Sequence, residues 1–380
     1  MLYRIHITRM LALALSVLLL SSGLLSQRAR AQQQQQDNST QQEKSRPRRT
    51  GESPQTNPTP KPSPADDDVT LQEDEVVRVE TDLTNILFTA IDKQKRFITT
   101  LKQEDVRVME DGQPQEIFTF ARQADLPLSL AILIDTSISE ERTLPAEKAA
   151  AGSFVDSILR PDKDEAAVIS FTGESTLEQG LTGSASRVRR AIDRVDFVPP
   201  SGYVSGIGTV GTPPISGTNQ QTQGSTAIWD AIWVTSDEVL TQTSDKTRRA
   251  IILLTDGHDS SSKKKMDEAV DRAVKADAVI YSIGIGDEYY GGVNKGTLRQ
   301  LSERTGGRAF FPENESELSA AFAQIQLELR SQYLVAYSPT NKRKDGSFRR
   351  VQIEIVNPEL RKLNLRLTYR QGYFAKSGRQ

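Results

Sequence analysis

Apolar and polar residues follow one pattern in the middle of this sequence and another on either side of it. Between residues 126 and 331, short apolar runs alternate with stretches in which apolar residues recur every three or four positions. The runs at 130–134 and 250–254 are apolar throughout, as expected for strands covered on both faces of a parallel sheet. This alternation of strands and helices predicts a doubly wound, mostly parallel α/β sheet for the central part of the chain.

The same pattern predicts the individual elements of the central part. Helices are expected at 146–159, 186–195, 227–240, 265–276, 295–304 and 316–331. Strands are expected at 129–134, 166–171, 250–255, 278–283 and 308–311, with a short antiparallel strand at 176–179.

The flanking segments instead show patterns typical of antiparallel strands. Each flank has too few strands for a core of its own. We therefore expect residues 69–125 and 332–376 to pair into one small all-β sandwich, with residues 126–331 inserted as a separate domain. Asp111-Gly112 and residues 344–347 are predicted hairpin turns. The expected strands are 76–79, 85–91, 106–110, 115–120, 332–339, 350–356 and 363–369.

The first 68 residues are predicted to lie outside both folded parts. Residues 1–31 have a basic start, a short apolar run and an Ala-x-Ala pattern, which is typical of a cleaved signal peptide. An uncleaved membrane helix is the alternative, but the apolar run is shorter than the roughly 20 residues that a span requires. Residues 32–68 are rich in Gln and Pro and are predicted to be a disordered linker. We expect an exported protein without a stable membrane span after cleavage, in the periplasm, on the cell surface or outside the cell.

The composition argues against several classes of function. The 380 residues carry a net charge of −2, and the sequence pI is near 6.0, so nothing attracts nucleic acid electrostatically. The absence of cysteine excludes disulfides, thiol nucleophiles and zinc–thiolate sites. His6 and His258 are the only histidines, so a metal or catalytic cluster of histidines is not expected.

Oxygen-bearing side chains follow two of the apolar strands and open one helix of the central part. Open α/β sheets bind ligands where their strands end, and hard divalent cations prefer oxygen ligands. One Asp after a strand is often only a helix N-cap, but three such pieces in this order favour a metal site. The pieces are Asp135-Thr136-Ser137-Ile138-Ser139, Gly224-Ser225-Thr226-Ala227 and Asp256-Gly257.

These three pieces resemble the metal-ion-dependent adhesion site of the von Willebrand factor A domain. The implied ligands are Asp135, Ser137, Ser139, Thr226 and Asp256. The resemblance implies one Mg²⁺ ion, or else Mn²⁺ or Ca²⁺, that few carboxylates touch and that keeps a position open for a carboxylate of a protein partner. The family order also places the antiparallel strand between two parallel strands, and the strand before Asp135 near the middle of the sheet.

Two further segments resemble a secreted bacterial subfamily of these domains that is described mainly from Acidobacteria. They are residues 101–112, before the central domain, and Gly372-Tyr373-Phe374, near the end of the second flank. The Gly- and Pro-rich stretch 199–224 departs from the family pattern as a long insertion beside Thr226. We expect this insertion either to shape the binding face or to be a plain surface loop.

The expected function is a binding or adhesion module, not an enzyme, that recognises a protein partner with an exposed Asp or Glu. A metal-dependent hydrolase is one alternative. The sequence does not favour it, because it has no Gly-x-Ser-x-Gly nucleophile motif and, beyond the signal segment, no histidine except His258. A structural subunit with a vestigial site is the other alternative, but its ligand set would be broken, whereas this set is intact. His258 and Asp259 are interpreted as rim residues that do not bind the ion.

Overall fold

The computed structural model describes residues 83–122, 126–197, 204–205, 208–209, 225–244 and 247–377. The predicted signal peptide, the linker and the strand 76–79 lie outside these ranges, as does most of the insertion 199–224. No helix in the described ranges has both the length and the apolar character that crossing a bilayer requires.

The described residues form the following elements in chain order. The strands are β1 (Thr84–Ile91), β2 (Val106–Glu110), β3 (Gln113–Gln115), β4 (Ile117–Arg122), β5 (Leu128–Asp135), β6 (Glu165–Phe171), β7 (Ser175–Thr182), β8 (Val204–Ser205), β9 (Gly208–Thr209), β10 (Arg248–Thr255), β11 (Ala278–Gly284), β12 (Ala309–Phe310), β13 (Tyr333–Tyr337), β14 (Phe348–Ile355), β15 (Arg366–Tyr369) and β16 (Gly372–Phe374). The helices are α1 (Leu144–Ile158), α2 (Ala185–Arg194), α3 (Ile228–Val234), α4 (Met266–Lys275), α5 (Lys295–Thr305), α6 (Glu315–Arg330) and α7 (Pro358–Lys362). A π-helical turn, Thr235–Val239, continues α3.

Six strands form the central sheet of what we call the α/β unit, in the order β12-β11-β10-β5-β6-β7. All neighbouring pairs are parallel except β6 and β7, which are antiparallel. Every residue of β5 and β10 is buried, because their side chains alternate between two apolar cores on opposite faces of the sheet. Helices α1, α2 and α6 pack on one face, and α3, α4 and α5 pack on the other. The prediction of a doubly wound, mostly parallel sheet is confirmed.

The position of the antiparallel strand differs from the prediction. β7 is the last strand of the sheet and pairs with β6 alone within the described residues, so the expectation that it lies between two parallel strands is wrong. An inner strand of such a sheet is buried on both faces, whereas the residues of β7 are exposed or half-buried. The polar sequence of β7 therefore suits an edge. β5 lies between β10 and β6, near the middle of the sheet, as predicted.

The two flanking segments form a β-sandwich of two four-stranded antiparallel sheets. One sheet has the order β15-β1-β13-β4 and the other has the order β16-β14-β2-β3, so each combines strands from both flanks. Ile86 lies opposite Val335 in the first sheet, and Val108 lies opposite Ile353 in the second. All four side chains are buried in one shared apolar core. The predicted fold class, with a sandwich built from both flanks, is thus confirmed.

Two predicted details of the sandwich are wrong. The turn at 344–347 does not join β13 and β14 as a hairpin, because these strands belong to different sheets. The predicted strand 115–120 is broken at Glu116 into β3 and β4, which also belong to different sheets. Inward and outward residues alternate whether a chain turns back in one sheet or crosses to the other, so the sequence pattern does not distinguish the two. The hairpin of β2 and β3 is confirmed, and Asp111 (φ 48°) and Gly112 (φ 81°) form its two-residue turn.

The sandwich contacts the α/β unit at the edge of the central sheet where β11 begins. Arg370 of the sandwich forms an ion pair with Asp277, the residue before β11. Lys275, at the end of α4, lies with its Nζ 4.5 Å from the ring centre of Phe374. In parallel strands all amino ends lie at one edge, so the carboxyl ends of β5 and β10 lie at the opposite edge, away from these contacts.

Candidate metal centre

Asp135, the last residue of β5, is fully buried and held from two sides. Its Oδ2 accepts a hydrogen bond of 2.6 Å from the hydroxyl of Thr255, at the end of the neighbouring strand β10. Its Oδ1 accepts one of 2.9 Å from the backbone N–H of Ser137. The parallel register places Ile134 opposite Leu254, so the two strands end together at this point. The sheet and the following loop thus fix the orientation of the carboxylate.

The two serines of the motif lie side by side. The Oγ atoms of Ser137 and Ser139 are 3.1 Å apart, and both residues are buried. Between them and the strand, the N–H and the hydroxyl of Thr136 donate to the carbonyl oxygen of Phe171 at 2.9 and 3.1 Å, which ties the loop to β6. Adjacent oxygens in an octahedral shell at about 2.1 Å lie roughly 3 Å apart. The two hydroxyls therefore fit neighbouring positions around one cation.

Asp256, the residue after β10, is buried against the loop that follows β11. Its Oδ1 accepts a hydrogen bond of 2.8 Å from the N–H of His258, and its carbonyl oxygen accepts one of 2.8 Å from the N–H of Asn294. A Cβ atom on Gly286 would lie 2.7 Å from the Cβ of Asp256, so only glycine allows the two loops to approach this closely. The Asp256 side chain is therefore held by the chain on both sides of it.

Thr226, just before α3, is anchored to the loop that follows Asp256. Its N–H donates to the Oγ of Ser260 at 2.8 Å, and its carbonyl oxygen accepts from the N–H groups of Ser260 and Ser261 at 2.9 and 3.0 Å. These bonds place Thr226 at the same edge of the sheet as Asp256. Thr226 is 6% exposed, so it is buried like the other predicted ligands.

The two residues interpreted as rim residues have different roles. Oδ1 of Asp259 accepts a hydrogen bond of 2.8 Å from the N–H of Ile228, the first residue of α3, and one of 2.5 Å from the hydroxyl of Ser262. Asp259 thus satisfies a free N–H at the start of α3. The side chain of His258 is exposed.

The structure adds a carboxylate that the sequence analysis missed. Carboxylate oxygens of Asp135, Glu140 and Asp256 all lie within 4.8 Å of one another. Glu140 has no exposed surface, and its Oε2 accepts a hydrogen bond of 2.8 Å from the hydroxyl of Thr143. Its Oε1 accepts none from any described residue. The only signal in the sequence was its position directly after Ser139. In the structure, Glu140 ends a short helical turn, Ile138–Glu140, that turns its side chain inward.

The electrostatics of these carboxylates favour a cation. Burial raises the pKa of the Asp135 carboxyl to about 7, and the negative charge of Asp256 contributes to the shift. Burial also raises the pKa of Glu140 well above its ordinary value, and neighbouring carboxylates add to it. Within the described ranges, no Lys or Arg forms an ion pair with any of the three. Hydroxyl and carboxylate oxygens, one of them without a partner, are ligands suited to Mg²⁺, Mn²⁺ or Ca²⁺. The residues present therefore fit a divalent cation.

The raised pKa of Asp135 predicts how stability depends on pH when metal is removed. The Asp135 carboxyl keeps its proton up to about pH 7 in the folded protein. In the unfolded chain it releases the proton near the ordinary pKa of 3.8. In chelator, the free energy of unfolding should therefore decrease as the pH rises between these two pKa values. Thermal unfolding at pH 5 and pH 8, with and without Mg²⁺, measures the effect. Asp135→Asn is the control, since it removes this contribution. An equal change in melting temperature for wild type and variant would contradict the prediction.

Two family models, both described as the von Willebrand factor type A domain, match the chain. One matches residues 130–258 and the other matches residues 214–324. Together they include the ends of β5 and β10 and the start of α3, where the five predicted ligands lie. The fold of the α/β unit is that of a von Willebrand factor type A domain. No curated protein sequence matches the chain.

Solved structures with a similar fold come from animals and bacteria. Proximal thread matrix protein 1 from the mussel byssus, with a zinc-occupied MIDAS motif, is 21% identical with a TM-score of 0.44, over 58% of this chain and 50% of that one. The conserved hypothetical protein BatB from Bacteroides thetaiotaomicron is 18% identical with a TM-score of 0.40, and the match covers 53% of this chain and 98% of that one. A von Willebrand factor type A protein from Catenulispora acidiphila is 14% identical with a TM-score of 0.42, and the match covers 71% of this chain and 75% of that one. The chain thus spans about half of the mussel protein's length.

Proposed function

We propose that this protein is an exported binding module that recognises a protein partner through a divalent cation at the ends of β5 and β10. Asp135, Ser137, Ser139, Thr226 and Asp256 would hold the cation, which would be Mg²⁺ or else Mn²⁺ or Ca²⁺. A carboxylate of the partner, from an Asp or a Glu, would occupy the position that the chain leaves open. When bound, the ion supplies a positive charge that attracts this carboxylate.

The arrangement of the two serines is the observation that carries this proposal. Their hydroxyls lie 3.1 Å apart and are buried beside Asp135, while both oxygens of Asp135 already accept hydrogen bonds. Neutral hydroxyls do not reduce the charge of an ion as carboxylates do. An ion held largely by hydroxyls keeps more of its attraction for a carboxylate from outside.

The rim of the site supports binding of a large partner. The Arg142 side chain, on the loop after the motif, is 80% exposed and donates to Asp287 at 3.2 Å. Tyr289, on the loop after β11, is 84% exposed. Exposed Arg and Tyr side chains are enriched where protein partners bind. The two loops would provide contacts around a partner carboxylate that reaches the ion.

We propose binding rather than catalysis because the acidic groups of the site face inward. Asp135 and Glu140 have no exposed surface, and Asp256 is 4% exposed. A general base must reach the proton that it removes from a substrate. His258 is exposed, but the contact it makes in the site is through its backbone N–H. A metal-dependent hydrolase remains the alternative, to be decided by the experiment below.

We also propose that the protein belongs to the secreted bacterial subfamily of these domains described mainly from Acidobacteria. The basic and apolar pattern of residues 1–31 supports export, and the segments 101–112 and 372–374 support the subfamily.

Partner capture under defined metal conditions tests the proposed function. The Mg²⁺-loaded protein should capture a partner from envelope extract, and chelator should release it. Blocked glutamate (N-acetyl-glutamate amide) should compete for binding, whereas blocked glutamine should not, because only the former has a carboxylate. Thr226→Ala should weaken capture, and Asp156→Asn, an exposed change on α1, should not. Screens with ester, phosphoester and peptide substrates run in parallel. Turnover that requires Asp135, without a chelator-sensitive partner, would instead establish the hydrolase.

A further inference from the structure

A basic cavity of about 740 Å³ lies where the β-sandwich meets the α/β unit. Its walls come from the start of β1, the end of α4, the loop between β13 and β14, and the last described segment of the chain. Asp277 is the one acidic residue among the described residues that line it, and it already pairs with Arg370. The exposed cations that line it are Lys275, Lys342, Arg343, Lys344 and Lys376. The whole chain carries a net charge of −2, so this concentration of positive charge is local.

Three of these cations have no carboxylate to balance them. Within the described residues, Lys275, Lys342 and Arg343 form no ion pair. Lys275 lies over the ring of Phe374, and Lys342 donates to the hydroxyl of Ser338 at 2.7 Å, so both of these partners are neutral. Like charges that are gathered in one cavity repel each other, and walls of low dielectric strengthen their field. An anion bound in the cavity would offset this repulsion.

A buried arginine holds the loop between β13 and β14, which we call the basic loop, in place. The side chain of Arg349 is 4% exposed, and its Nη1 lies 3.4 Å from Oε1 of Glu110. Its guanidinium also donates to the carbonyl oxygen of Asn341 at 2.6 Å and to that of Arg343. The backbone on both sides of Lys342 is therefore fixed before a ligand binds, which reduces the entropy lost on binding.

The last described segment of the chain lies along the basic loop. Asp345 and Ser377 form an antiparallel bridge, and the N–H of Ala375 donates to the carbonyl oxygen of Ser347 at 2.9 Å. Lys376, between the two bonded positions, is thereby held beside the loop. Cations from separate parts of the sequence thus meet in one cavity because backbone hydrogen bonds bring their segments together.

We propose that this cavity binds a small soluble anion that carries two or more phosphate groups. Phosphate suits it better than carboxylate, because each phosphate group carries a charge of about −1.5 to −2. Lys binds phosphate as a point charge, and the fork of an Arg side chain matches the phosphate oxygens. The volume of about 740 Å³ is typical of small-molecule sites. A bilayer is too flat to enter a cavity, which favours a soluble ligand over a lipid headgroup.

The cavity lies away from the metal centre. Its walls include Asp277 and Ala278, at the amino end of β11, or lie beside them, whereas the cation is proposed to bind at the carboxyl ends of β5 and β10. A phosphate ligand and a protein partner would therefore bind at opposite edges of the central sheet. The inference goes beyond the proposed function and does not depend on it.

Titration calorimetry with sodium triphosphate tests the inference. The full chain is stripped of divalent ions and studied at low salt in chelator-free buffer, so that neither the metal centre nor a chelator interferes. The wild type should bind triphosphate, and a variant with both Lys342→Gln and Arg343→Gln should bind it about 10-fold more weakly or worse. Both side chains are exposed, so this variant should fold. The matched control carries Arg187→Gln and Arg190→Gln, which remove two exposed cations of α2 outside the cavity, and should bind as the wild type does.

Four results would overturn the inference. The first is a wild type that does not bind triphosphate at millimolar concentration. The second is an equal loss of affinity in both double variants, which would show attraction to the general charge of the protein. The third is citrate binding as tightly as triphosphate, which would make the ligand a carboxylate. The fourth is co-sedimentation with phosphatidylglycerol vesicles without binding of triphosphate, which would assign the basic residues to a membrane surface. Partner capture through the metal is measured separately, so the proposed function would stand in each case.

Discussion

Replacing Asp135 by asparagine should weaken binding of the divalent cation at the ends of β5 and β10 by about 100-fold or more. Changes to residues that only support metal ligands already cost about 10- to 100-fold in affinity, and Asp135 lies within the ligand cluster itself. Asparagine keeps the size of the side chain and an oxygen that can accept the 2.6 Å hydrogen bond from Thr255, and it loses only the bond of 2.9 Å from the N–H of Ser137. The fold should therefore survive, and calorimetric titration with Mn²⁺ and Mg²⁺ measures the change directly.

Two observations would contradict this prediction. The first is a wild-type protein that binds neither ion at millimolar concentration, which would remove the metal centre altogether. The second is an Asp135→Asn variant with unchanged affinity, which would place the ion elsewhere. Asp156→Asn is the control, because Asp156 is half exposed and pairs with Arg189 on the surface. It should bind metal as the wild type does.

Replacing Tyr333 by alanine should destabilise the β-sandwich by about 3–5 kcal/mol, as is usual when a large buried aromatic side chain is truncated. Tyr333 is 1% exposed, and its ring stacks on Phe88 with centroids 5.1 Å apart. Its hydroxyl accepts a hydrogen bond of 3.0 Å from the N–H of Leu101 and donates one of 3.1 Å to the carbonyl oxygen of Ile98. One side chain from the second flank thus holds three positions of the first.

Two measurements locate this effect. Hydrogen exchange of the backbone amides in β1 and β13 should accelerate strongly in Tyr333→Ala, because both strands lose the core that protects them. The two tryptophans of the chain, Trp229 and Trp233, both belong to α3, so their fluorescence reports on the α/β unit. Tyr333→Phe is the matched control and should cost only about 1–2 kcal/mol for the lost hydrogen bonds. Equal destabilisation by the two variants would show that the ring contributes little.

The sequence alone determined the fold class and most of the elements. The uninterrupted apolar runs of β5 and β10 identified strands buried on both faces, because runs of this length suit a strand of a parallel sheet and are short for a helix. The turn Asp111-Gly112 identified a hairpin, because both residues adopt positive φ. The family resemblance of the motifs after β5 and β10 assigned Asp135 and Asp256 to one site, which is possible because parallel strands end at the same edge of a sheet. These signals are local, or they follow from a rule of topology.

Only the tertiary structure decided what depends on packing between distant segments. β7 lies at the edge of the central sheet, and β13 and β14 belong to different sheets of the sandwich. Each position depends on which neighbouring segment of the chain buries the strand better. The burial of Glu140, in the loop after β5, and of Glu147, in the first turn of α1, was equally hidden, since a Glu at such positions is usually solvated. Their burial depends on how the loop after β5 packs beneath the ends of β5 and β10. Charges far apart in sequence meet there, and no local pattern records which ones will meet.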